Sequence, residues 1–532
     1  LGEQCLMNTY NLQPIYNGQN IVYIDNDCFA NSRIDRMNIP NLTYIGSRAF
    51  YNCTYLRSVS SAGRSYICSH AFENCIHLTD LQLSNTVEIA QSAFENCIGI
   101  THVTFNHLES IGQSAFINLP QLEKVDCPNV ISVGPMAFEN SPKLTNVSLK
   151  SVQILGNDAF RNCQMLSSLT LDSVTTIGSG TFSNCLRLTE INMPTLKHCS
   201  HKSFMNCFSL KSIIFENVES IGNNCFASCS QLTTLIIPNL LRAADSSFFG
   251  CQSLKTLHTP SLEVIGEYCF SSCLSLNSTN FTSLTTIPSS AFAYCHMFTN
   301  VSLPLVKSIE DNAFMFCDML VDISLPICEF IGEFAFHGCI SLATLFLPSV
   351  LEISEGAFQD CSSLSLVHFP KLQTVPVNAT MIFSGCINLT QLNMNDVPPK
   401  TFSEDAFVSA ELPLKTKDGV KGYDLILCLP RVKDYENNYW PDIVNGTKVK
   451  YLWKKILAVE PSNYETVCAD VAIQEGNKKK VVIIVSITIS VLVVIAIIVT
   501  VVVLKIKKIR EINKNLNKEQ IRLTTTIIDR FV

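Results

Sequence analysis

Hydrophobic residues recur along this chain at a fixed interval of 22 positions. Phenylalanine marks fifteen consecutive periods from Phe50 to Phe358, and Phe29, Phe383 and Phe407 continue the series at slightly different spacings. Six residues after each Phe, Leu occurs in thirteen of the fifteen periods, and seventeen residues after it Ile, Val or Leu occurs in thirteen. A period of this length is typical of repeat proteins. Positions within a repeat are numbered below from its Phe, so that +6 lies six residues later.

Each repeat also contains a pattern typical of a strand. Apolar residues at +9 and +11 enclose a polar one, as in Val103, Thr104 and Phe105, and this alternation predicts a short β-strand. Proline often follows at +12 and ends the strand, because it has no N–H to donate to a ladder. A second apolar pair at +14 and +17 leads to Gly at +18 in seven repeats, which indicates a turn, and the Ala-Phe-x-Asn-Cys run then predicts a short helical or irregular segment.

A single repeat cannot bury its Phe, Leu and Ile side chains, whereas stacked repeats share one continuous core. The pattern therefore predicts a β-rich solenoid of short parallel strands, with about eighteen coils over residues 29–410. Residues 1–28 are expected to form an N-terminal capping segment. Residues 411–477, where the repeat stops and charge rises, are expected to form a C-terminal capping coil and a juxtamembrane segment.

The repeat resembles the BspA-like, or Treponema-pallidum-type, leucine-rich-repeat surface antigen family. The family pattern AF-x-x-C-x-x-L-x-x-V-x-LP-x-x-V-x-x-IG is matched closely by AFHGCISLATLFLPSVLEIS from Ala335, and the resemblance covers about residues 21–445. The segment 428–443, with Tyr435, Tyr439 and Trp440, looks like the closing coil of such proteins. The resemblance implies a leucine-rich-repeat solenoid at a cell surface, with matrix proteins such as fibronectin as candidate partners.

A single transmembrane helix is predicted at residues 481–504, which form a run of 24 residues without a charge or a proline. At about 1.5 Å per residue this run is long enough for a hydrocarbon core of about 30 Å. The following flank is the more basic one, so residues 505–532 are expected to be a cytoplasmic tail and the N-terminus to be extracellular. The chain begins at Leu1, which is consistent with either a removed signal peptide or an incomplete N-terminus.

Charge is distributed unevenly around this span. Residues 505–532 carry eight basic and three acidic side chains, a net charge of +5, and the three lysines at 478–480 before the span add +3. Because the whole chain has a net charge of −7, residues 1–477 have a net charge of −15. A region this acidic is not expected to bind nucleic acid, because few cations are available to replace the counterions of phosphates.

Cysteine occurs fourteen times at +3, where Leu119 and Ser141 replace it in two repeats. A position that accepts Leu is expected to hold a small buried hydrophobic side chain, so these cysteines are interpreted as structural thiols rather than as a disulfide or metal ladder. Oxidising surroundings favour bridges near the ends, and Cys5–Cys28 and Cys428–Cys468 are hypothetical disulfides.

Asparagine occupies +2 in eight successive repeats, from Asn52 to Asn206, and is interpreted as a buried amide ladder that satisfies backbone groups of the turns. Asn52 also lies in a glycosylation sequon, but its side chain is expected to be occupied by this ladder. The remaining sequons provide glycosylation candidates, none of which follows the predicted span: Asn41, Asn146, Asn277, Asn280, Asn300, Asn378, Asn388 and Asn445.

Catalytic and metal sites are not expected. His198, Cys199 and His201 have a spacing that suits a metal, but Cys199 falls at +17, which is elsewhere an inward apolar position. No nucleophile elbow, zinc-binding helix motif, P-loop or dinucleotide fingerprint is present in its structural context, so the chain is interpreted as a non-enzyme without a cofactor.

Function is expected on the residues that the strand turns outward at +8 and +10, which would line a concave sheet. Most are polar, but Ile214 and Ile236 lie in adjacent coils, as do Phe346 and Leu366, and His368 follows them. Exposed apolar side chains in register are typical of a contact patch. Glycans at Asn146, Asn280 or Asn300 would obstruct parts of this face.

The leading hypothesis is a single-pass surface protein that mediates adhesion or extracellular ligand binding through many weak contacts along one face. The alternative is a signalling or pattern-recognition receptor with the same ectodomain. Because the predicted tail has only 28 residues, a receptor would have to recruit its partner through a short motif. Replacing the tail with Gly and Ser would abolish signalling and spare adhesion.

Overall fold

The structure, a computed structural model, describes residues 1–10, 12–15, 18–277, 281–376 and 379–394, and beyond them the strands at 414–415, 421–430 and 453–459. The predicted solenoid is confirmed. Successive coils stack in register, and most contribute two short strands, which form several sheets by pairing in parallel with equivalent strands of adjacent coils. The solenoid lies within one compact unit, Leu1–Tyr464.

The first ladder consists of three-residue strands at +8 to +10, at the place that the alternating pattern predicts. Its strands are β2 (Arg36–Asn38), β4 (Ser58–Ser60), β6 (Asp80–Gln82), β8 (His102–Thr104), β10 (Lys124–Asp126), β12 (Asn146–Ser148), β14 (Ser168–Thr170), β16 (Glu190–Asn192), β18 (Ser212–Ile214), β20 (Thr234–Ile236), β22 (Thr256–His258), β25 (Asn300–Ser302), β27 (Asp322–Ser324), β29 (Thr344–Phe346), β31 (Leu366–His368) and β32 (Gln391–Asn393).

The second ladder consists of two-residue strands at +16 and +17, where the sequence pattern predicts only a turn. Its strands are β1 (Tyr23–Ile24), β3 (Tyr44–Ile45), β5 (Tyr66–Ile67), β7 (Glu88–Ile89), β9 (Ser110–Ile111), β11 (Ser132–Val133), β13 (Ile154–Leu155), β15 (Thr176–Ile177), β17 (His198–Cys199), β19 (Ser220–Ile221), β21 (Arg242–Ala243), β23 (Val264–Ile265), β24 (Thr286–Ile287), β26 (Ser308–Ile309), β28 (Phe330–Ile331) and β30 (Glu352–Ile353). Two residues are too few to display an alternation, so the pattern could not reveal them.

The first ladder continues past the regular repeat. β34 (Lys421–Pro430) pairs in parallel with β32, so that Leu392 lies opposite Leu427 and Asn393 opposite Cys428. β35 (Trp453–Val459) pairs in parallel with β34, and β33 (Leu414–Lys415) pairs in antiparallel fashion with β34. The longer β34 therefore extends the sheet beyond the coil of Phe383.

The core is a column of stacked rings. From Phe29 to Phe383, successive Phe side chains are buried and lie nearly parallel, with ring centroids 4.9 to 5.6 Å apart. The Leu at +6 and the aliphatic residue at +17 are buried beside them in the same continuous cluster. Burial of one aromatic side chain of about 150–250 Å² stabilises a fold by a few kcal/mol, which is why each coil depends on its neighbours.

Turns rather than helices join the strands, and no helix occurs among the described residues. The helical alternative for the Ala-Phe-x-Asn-Cys run is therefore wrong. The chain enters the left-handed region twice per coil, at −2 and at +2, as in Asp158 (φ 54°) and Asn162 (φ 61°), and such residues cannot continue an α-helix. The Gly at +18 has a different role, because a Cβ at Gly134 would lie 2.7 Å from the backbone of the preceding coil.

Candidate functional site

The outward face of the first ladder is polar along most of its length. In β8, His102 and Thr104 are exposed while Val103 between them is buried, and β14, β16 and β27 show the same pattern. Parallel pairing places equivalent side chains of adjacent coils side by side. The face therefore presents two columns of outward side chains, at +8 and +10, as the sequence predicts.

Ile214 and Ile236 interrupt this polar face. They are direct register partners in β18 and β20, and His258 of β22 is the next residue in the same column. Ile214 is 54% exposed and Ile236 is half-buried. Two predicted contact residues thus form one apolar step on the ladder, which is the kind of surface that proteins use for contacts.

Phe346, Leu366 and His368 are arranged differently from the expected pair. The register partner of Phe346, which is 55% exposed, is His368, and their rings stack with centroids 4.4 Å apart and planes 8° from parallel. Leu366 lies opposite Thr344, so Leu366 and Phe346 are diagonal neighbours. His368 is only 2% exposed. The expectation that His368 is an outward contact residue is therefore wrong: it is buried and stacks against the Phe346 ring.

A second apolar surface lies along the turns at −2 to +4 of adjacent coils, called the turn edge below. The sequence pattern did not predict this surface. Tyr294 and Phe316 occupy +2 in adjacent coils with ring centroids 5.3 Å apart, and His337 packs edge-on against Phe316 and Phe334. Tyr294, Phe316 and Phe334 have φ values between 53° and 62°, a region that bulky residues rarely adopt. The replacement of Asn by Tyr and Phe at +2 is the sequence signal for this edge.

The sequence matches a known family over most of the chain. Six overlapping matches to the BspA type leucine rich repeat region cover residues 1–116, 61–167, 87–211, 153–277, 242–329 and 285–413. The chain belongs to the BspA-type leucine-rich-repeat family. Proteins of this kind are generally non-enzymatic binding scaffolds, typically associated with cell surfaces and engaged in protein–protein interaction.

Several solved structures similar to this BspA-type protein come from bacteria. A leucine-rich repeat protein from Bacteroides ovatus is 25% identical over 67% of this chain and 86% of that chain, with a TM-score of 0.45. A leucine rich cell surface protein from Faecalibacterium prausnitzii is 23% identical over 54% and 83%, with a TM-score of 0.35. The leucine rich repeat protein of T. pallidum is 24% identical over 40% and 78%, with a TM-score of 0.22. None of the curated proteins matches this chain in sequence.

The described part of this BspA-type protein includes no helix that is long and apolar enough to cross a bilayer. The predicted span at 481–504, its basic flanks and the tail at 505–532 lie outside the described residues. The membrane anchor and its orientation remain predictions.

The cysteines at +3 are buried free thiols, as interpreted from the sequence. Each Sγ–H donates to the carbonyl oxygen of the Phe one coil earlier, as in Cys207 to Phe182 at 3.2 Å and Cys339 to Phe314 at 3.2 Å. Burial raises the pKa of Cys163 to about 12 from an ordinary value of 9.0. Thiols that resist ionisation in this way are poor nucleophiles and poor metal ligands, so the column is structural.

The hypothetical disulfide partners at the N-terminal end lie side by side. The Sγ atoms of Cys5 and Cys28 are 2.9 Å apart and both thiols are free in this structure. Burial, followed by the contact with Cys5, raises the pKa of Cys28 to about 12. Their bridge remains a prediction. Cys428 lies in β34, and Cys468 lies outside the described residues.

The asparagines at +2 form a ladder, but it differs from the predicted one. From Asn96 to Asn206 each Nδ2 donates to the Oδ1 of the Asn one coil earlier, as in Asn140 to Asn118 (2.8 Å) and Asn162 to Asn140 (2.7 Å). The Nδ2 of Asn74 donates instead to Glu73 Oε1 at 3.4 Å. These amides therefore bond to other side chains rather than to turn backbone. The side chains are half-buried or exposed instead of buried. The left-handed φ, which Asn tolerates better than most residues, explains this edge position.

The glycosylation candidates lie in unlike surroundings. Asn146 and Asn300 are exposed at the first positions of β12 and β25, and Asn277 is also exposed. Asn41 and Asn388 donate their Nδ2 atoms to the carbonyl oxygens of Gln19 and Ser362, at 2.9 and 2.8 Å. The Nδ2 of Asn52 donates to Asn31 Oδ1 at 2.8 Å. The others lie outside the described residues: Asn280, Asn378 and Asn445.

His198 and His201 make separate contacts. His198 Nδ1 lies 2.8 Å from Ser220 Oγ, the amide N–H of Asn223 donates to His201 Nδ1 at 3.1 Å, and Cys199 between them is buried. Among the described residues, no group of three or more His, Cys, Asp or Glu side chains is arranged to hold a metal ion.

Proposed function

We propose that this protein is a cell-surface adhesion or ligand-binding scaffold, whose first ladder contacts proteins of the extracellular matrix or of host or neighbouring cells. The observation that supports this proposal most directly is the apolar step of Ile214 and Ile236 on a face that is polar along most of its length. Phe346, exposed on its His368 support, provides a second apolar point six coils further along the same ladder.

Two apolar points on one stacked array favour an extended or repetitive partner. Each point alone buries little area, so each contact is weak, and simultaneous contacts raise the overall affinity through the effective concentration of the second. Matrix proteins such as fibronectin suit this mode because they are long and repetitive, and the family resemblance suggests them. The predicted membrane span would hold such a scaffold at the surface.

The test displays the full chain on cells that do not otherwise adhere. Surface biotinylation of intact cells first checks that residues of the solenoid are extracellular. Attachment is then counted on plates coated with fibronectin, laminin or collagen. Cells displaying the unaltered chain are expected to attach to at least one coating, and the double variant Ile214→Arg with Phe346→Arg is expected to lose most of that attachment, because a charge would enter each apolar contact.

The matched control is the double variant Ile154→Arg with Ile387→Arg. Both residues are exposed apolar side chains that lie off the outward face of the first ladder. Control cells are expected to attach as the unaltered ones do. Equal attachment by both double variants, or no attachment of the unaltered chain to any coating, contradicts the proposal.

A further inference from the structure

A groove runs along the turn edge of four adjacent coils, away from the outward face of the first ladder. It has a volume of about 530 Å³, and its lining includes the ladder amides of Asn118, Asn140 and Asn162. Ile98, Pro120 and Pro142 at +4 also line it. Its size falls within the range of about 300–1,000 Å³ that is typical of small-molecule sites.

The amides of the groove retain unused hydrogen-bonding capacity. A carboxamide has two N–H donors and an oxygen with two lone pairs. The ladder uses one donor and one lone pair of Asn140, which donates to Asn118 at 2.8 Å and accepts from Asn162 at 2.7 Å. Every amide in the groove therefore has one further donor and one further acceptor for a ligand, repeated once per coil.

The two prolines add further acceptors at this place. In the preceding coil, the N–H of Ile98 donates to the carbonyl oxygen of Asn96 at 2.8 Å. Proline has no N–H, so Pro120 and Pro142 cannot make the equivalent bond to the carbonyl oxygens of Asn118 and Asn140. Several coils with other residues at +4 make this bond, as Ser230 does to Ser228 and Ile340 to Gly338.

The chemistry of this lining selects a neutral ligand with hydroxyl groups. The groove lining includes no charged side chain, and the seventh lining residue, Gln164, is a further amide. Each hydroxyl of a sugar both donates and accepts a hydrogen bond, which matches the paired capacity of each amide. The apolar face of a pyranose ring matches the pyrrolidine rings and the Ile98 side chain. A pyranose also spans about the distance between adjacent coils, whereas an extended peptide repeats its outward groups at about 6.6 Å, out of step with strands about 4.8 Å apart.

We propose that the groove between the Asn ladder and the +4 column of residues 98–164 binds a neutral, linear oligosaccharide, one sugar ring per coil. The site differs from the protein-contact face of the first ladder and acts independently of it. Because the lining is uncharged, binding is independent of salt between 50 and 500 mM, in contrast to a charged glycan, whose affinity falls with ionic strength as the Debye length shortens from about 14 to 4 Å.

The test uses the full chain in detergent and measures binding by calorimetry. The probes are cellohexaose, chitohexaose, maltohexaose and mannohexaose, with a heparin hexasaccharide and a capped proline-rich peptide as contrasts. At least one neutral hexasaccharide is expected to bind saturably at micromolar to millimolar concentration, with the same Kd at both salt concentrations. Tighter binding of the peptide or of heparin, or no binding of any neutral hexasaccharide up to millimolar concentration, overturns the proposal.

Two pairs of variants locate the site. Ile98→Arg places a bulky charge in the groove and is expected to weaken binding at least tenfold, whereas Ile340→Arg, at the equivalent +4 position and similarly exposed (47% against 42%), is expected to leave the Kd unchanged. Asn140→Gly removes a groove amide and keeps the left-handed φ, and Asn184→Gly breaks the same number of ladder bonds outside the groove. Of the two glycine variants, only Asn140→Gly is expected to weaken binding. If the two variants of either pair change the Kd equally, the ligand binds elsewhere and the proposal is wrong.

Discussion

The ring of Phe316 occupies the space in which Gly338, one coil later, has no side chain. A Cβ added to Gly338 would lie 2.4 Å from Phe316 Cδ1, and Gly338 has a φ of +73°. Phe334 and Gly356 repeat the relationship, with a Cβ at 2.3 Å from the Phe334 ring. Phe316 and Phe334 therefore each depend on glycine at the same column position one coil later, so these pairs of residues 22 apart have to be chosen together.

Gly338→Ala is expected to destabilise the fold by several kcal/mol, since it combines a left-handed φ with a ring that would have to move. The matched control is Gly250→Ala, which has a φ of +71° but whose Cβ would meet nothing closer than 3.7 Å. The control is expected to cost only the conformational strain of about 1–2 kcal/mol. Urea unfolding followed by circular dichroism measures both, and equal costs would show that the Phe316 contact is readily relieved.

Truncation of a core ring is expected to be far more costly than truncation of a nearby surface ring. Phe204→Ala removes a side chain that stacks on Phe182 and Phe226 with centroids at 5.5 and 5.1 Å, and should cost about 3–5 kcal/mol through the cavity it leaves. Phe208, four residues later, is 43% exposed, so Phe208→Ala should change stability by less than about 1 kcal/mol. Unfolding midpoints compare the two, and similar losses would contradict the stacked core.

The buried thiols predict a loss of stability in alkali. The pKa of Cys163 is about 12 in the fold because of burial, whereas an exposed thiol has a value of 9.0. The stability that depends on the protonated thiol is therefore complete below pH 9 and is lost as the pH rises from 9 to 12. The loss is about 1.4 kcal/mol per pH unit for one such group.

The thiol effect can be isolated with one substitution. Cys163→Ala should destabilise the reduced protein at pH 8 and should lose most of that disadvantage at pH 10.5, because alanine does not ionise. Leu166→Ala, a buried change without a titrating group, should cost the same at both pH values. If the cost of Cys163→Ala is also independent of pH, the thiol ionises equally easily in the folded and unfolded chains.

The adjacent thiols of Cys5 and Cys28 are expected to form a disulfide when the protein matures in an oxidising compartment. Peptide mapping before and after reduction should recover these two cysteines as one linked peptide. Cys53, which is buried and donates to Phe29 O at 2.9 Å, should remain a free thiol that alkylates only after unfolding. Alkylation of Cys5 and Cys28 without reduction would contradict the bridge.

The sequence predicts those features of the fold that repeat. The Phe column, the outward +8 and +10 positions and the buried thiols follow from single-residue periodicity, because every coil imposes the same environment on the same position. Features that depend on two coils at once are not visible in this way. The buried His368 stacks on Phe346, and the groove at Asn140 is lined by residues of four coils, including Pro120 and Pro142. Both relationships become apparent only when the coils are stacked.

The second ladder and the amide ladder show the limits of local pattern. A two-residue strand such as Ser132–Val133 has no alternation of its own and is defined only by its partners in the adjacent coils. From the sequence, the Asn side chains could form hydrogen bonds either with backbone groups or with one another. In the structure the residues at +2 have a left-handed φ, and their side chains bond to one another. Sequence alone does not specify that angle.

Each +3 cysteine donates its thiol hydrogen to the carbonyl oxygen of the Phe one coil earlier, and all these bonds run in the same direction. The Phe carbonyl of one coil could therefore accept a hydrogen bond from the +3 cysteine of any coil placed after it. Removing 22 consecutive residues, for example 183–204, would bring Cys207 against Phe160 and reproduce the bonds now made by Cys185. Loss or gain of a whole period would therefore preserve the thiol bonds, whereas paired residues such as Phe316 and Gly338 would have to stay together. The length of the solenoid can therefore change by whole coils where no such pair is separated.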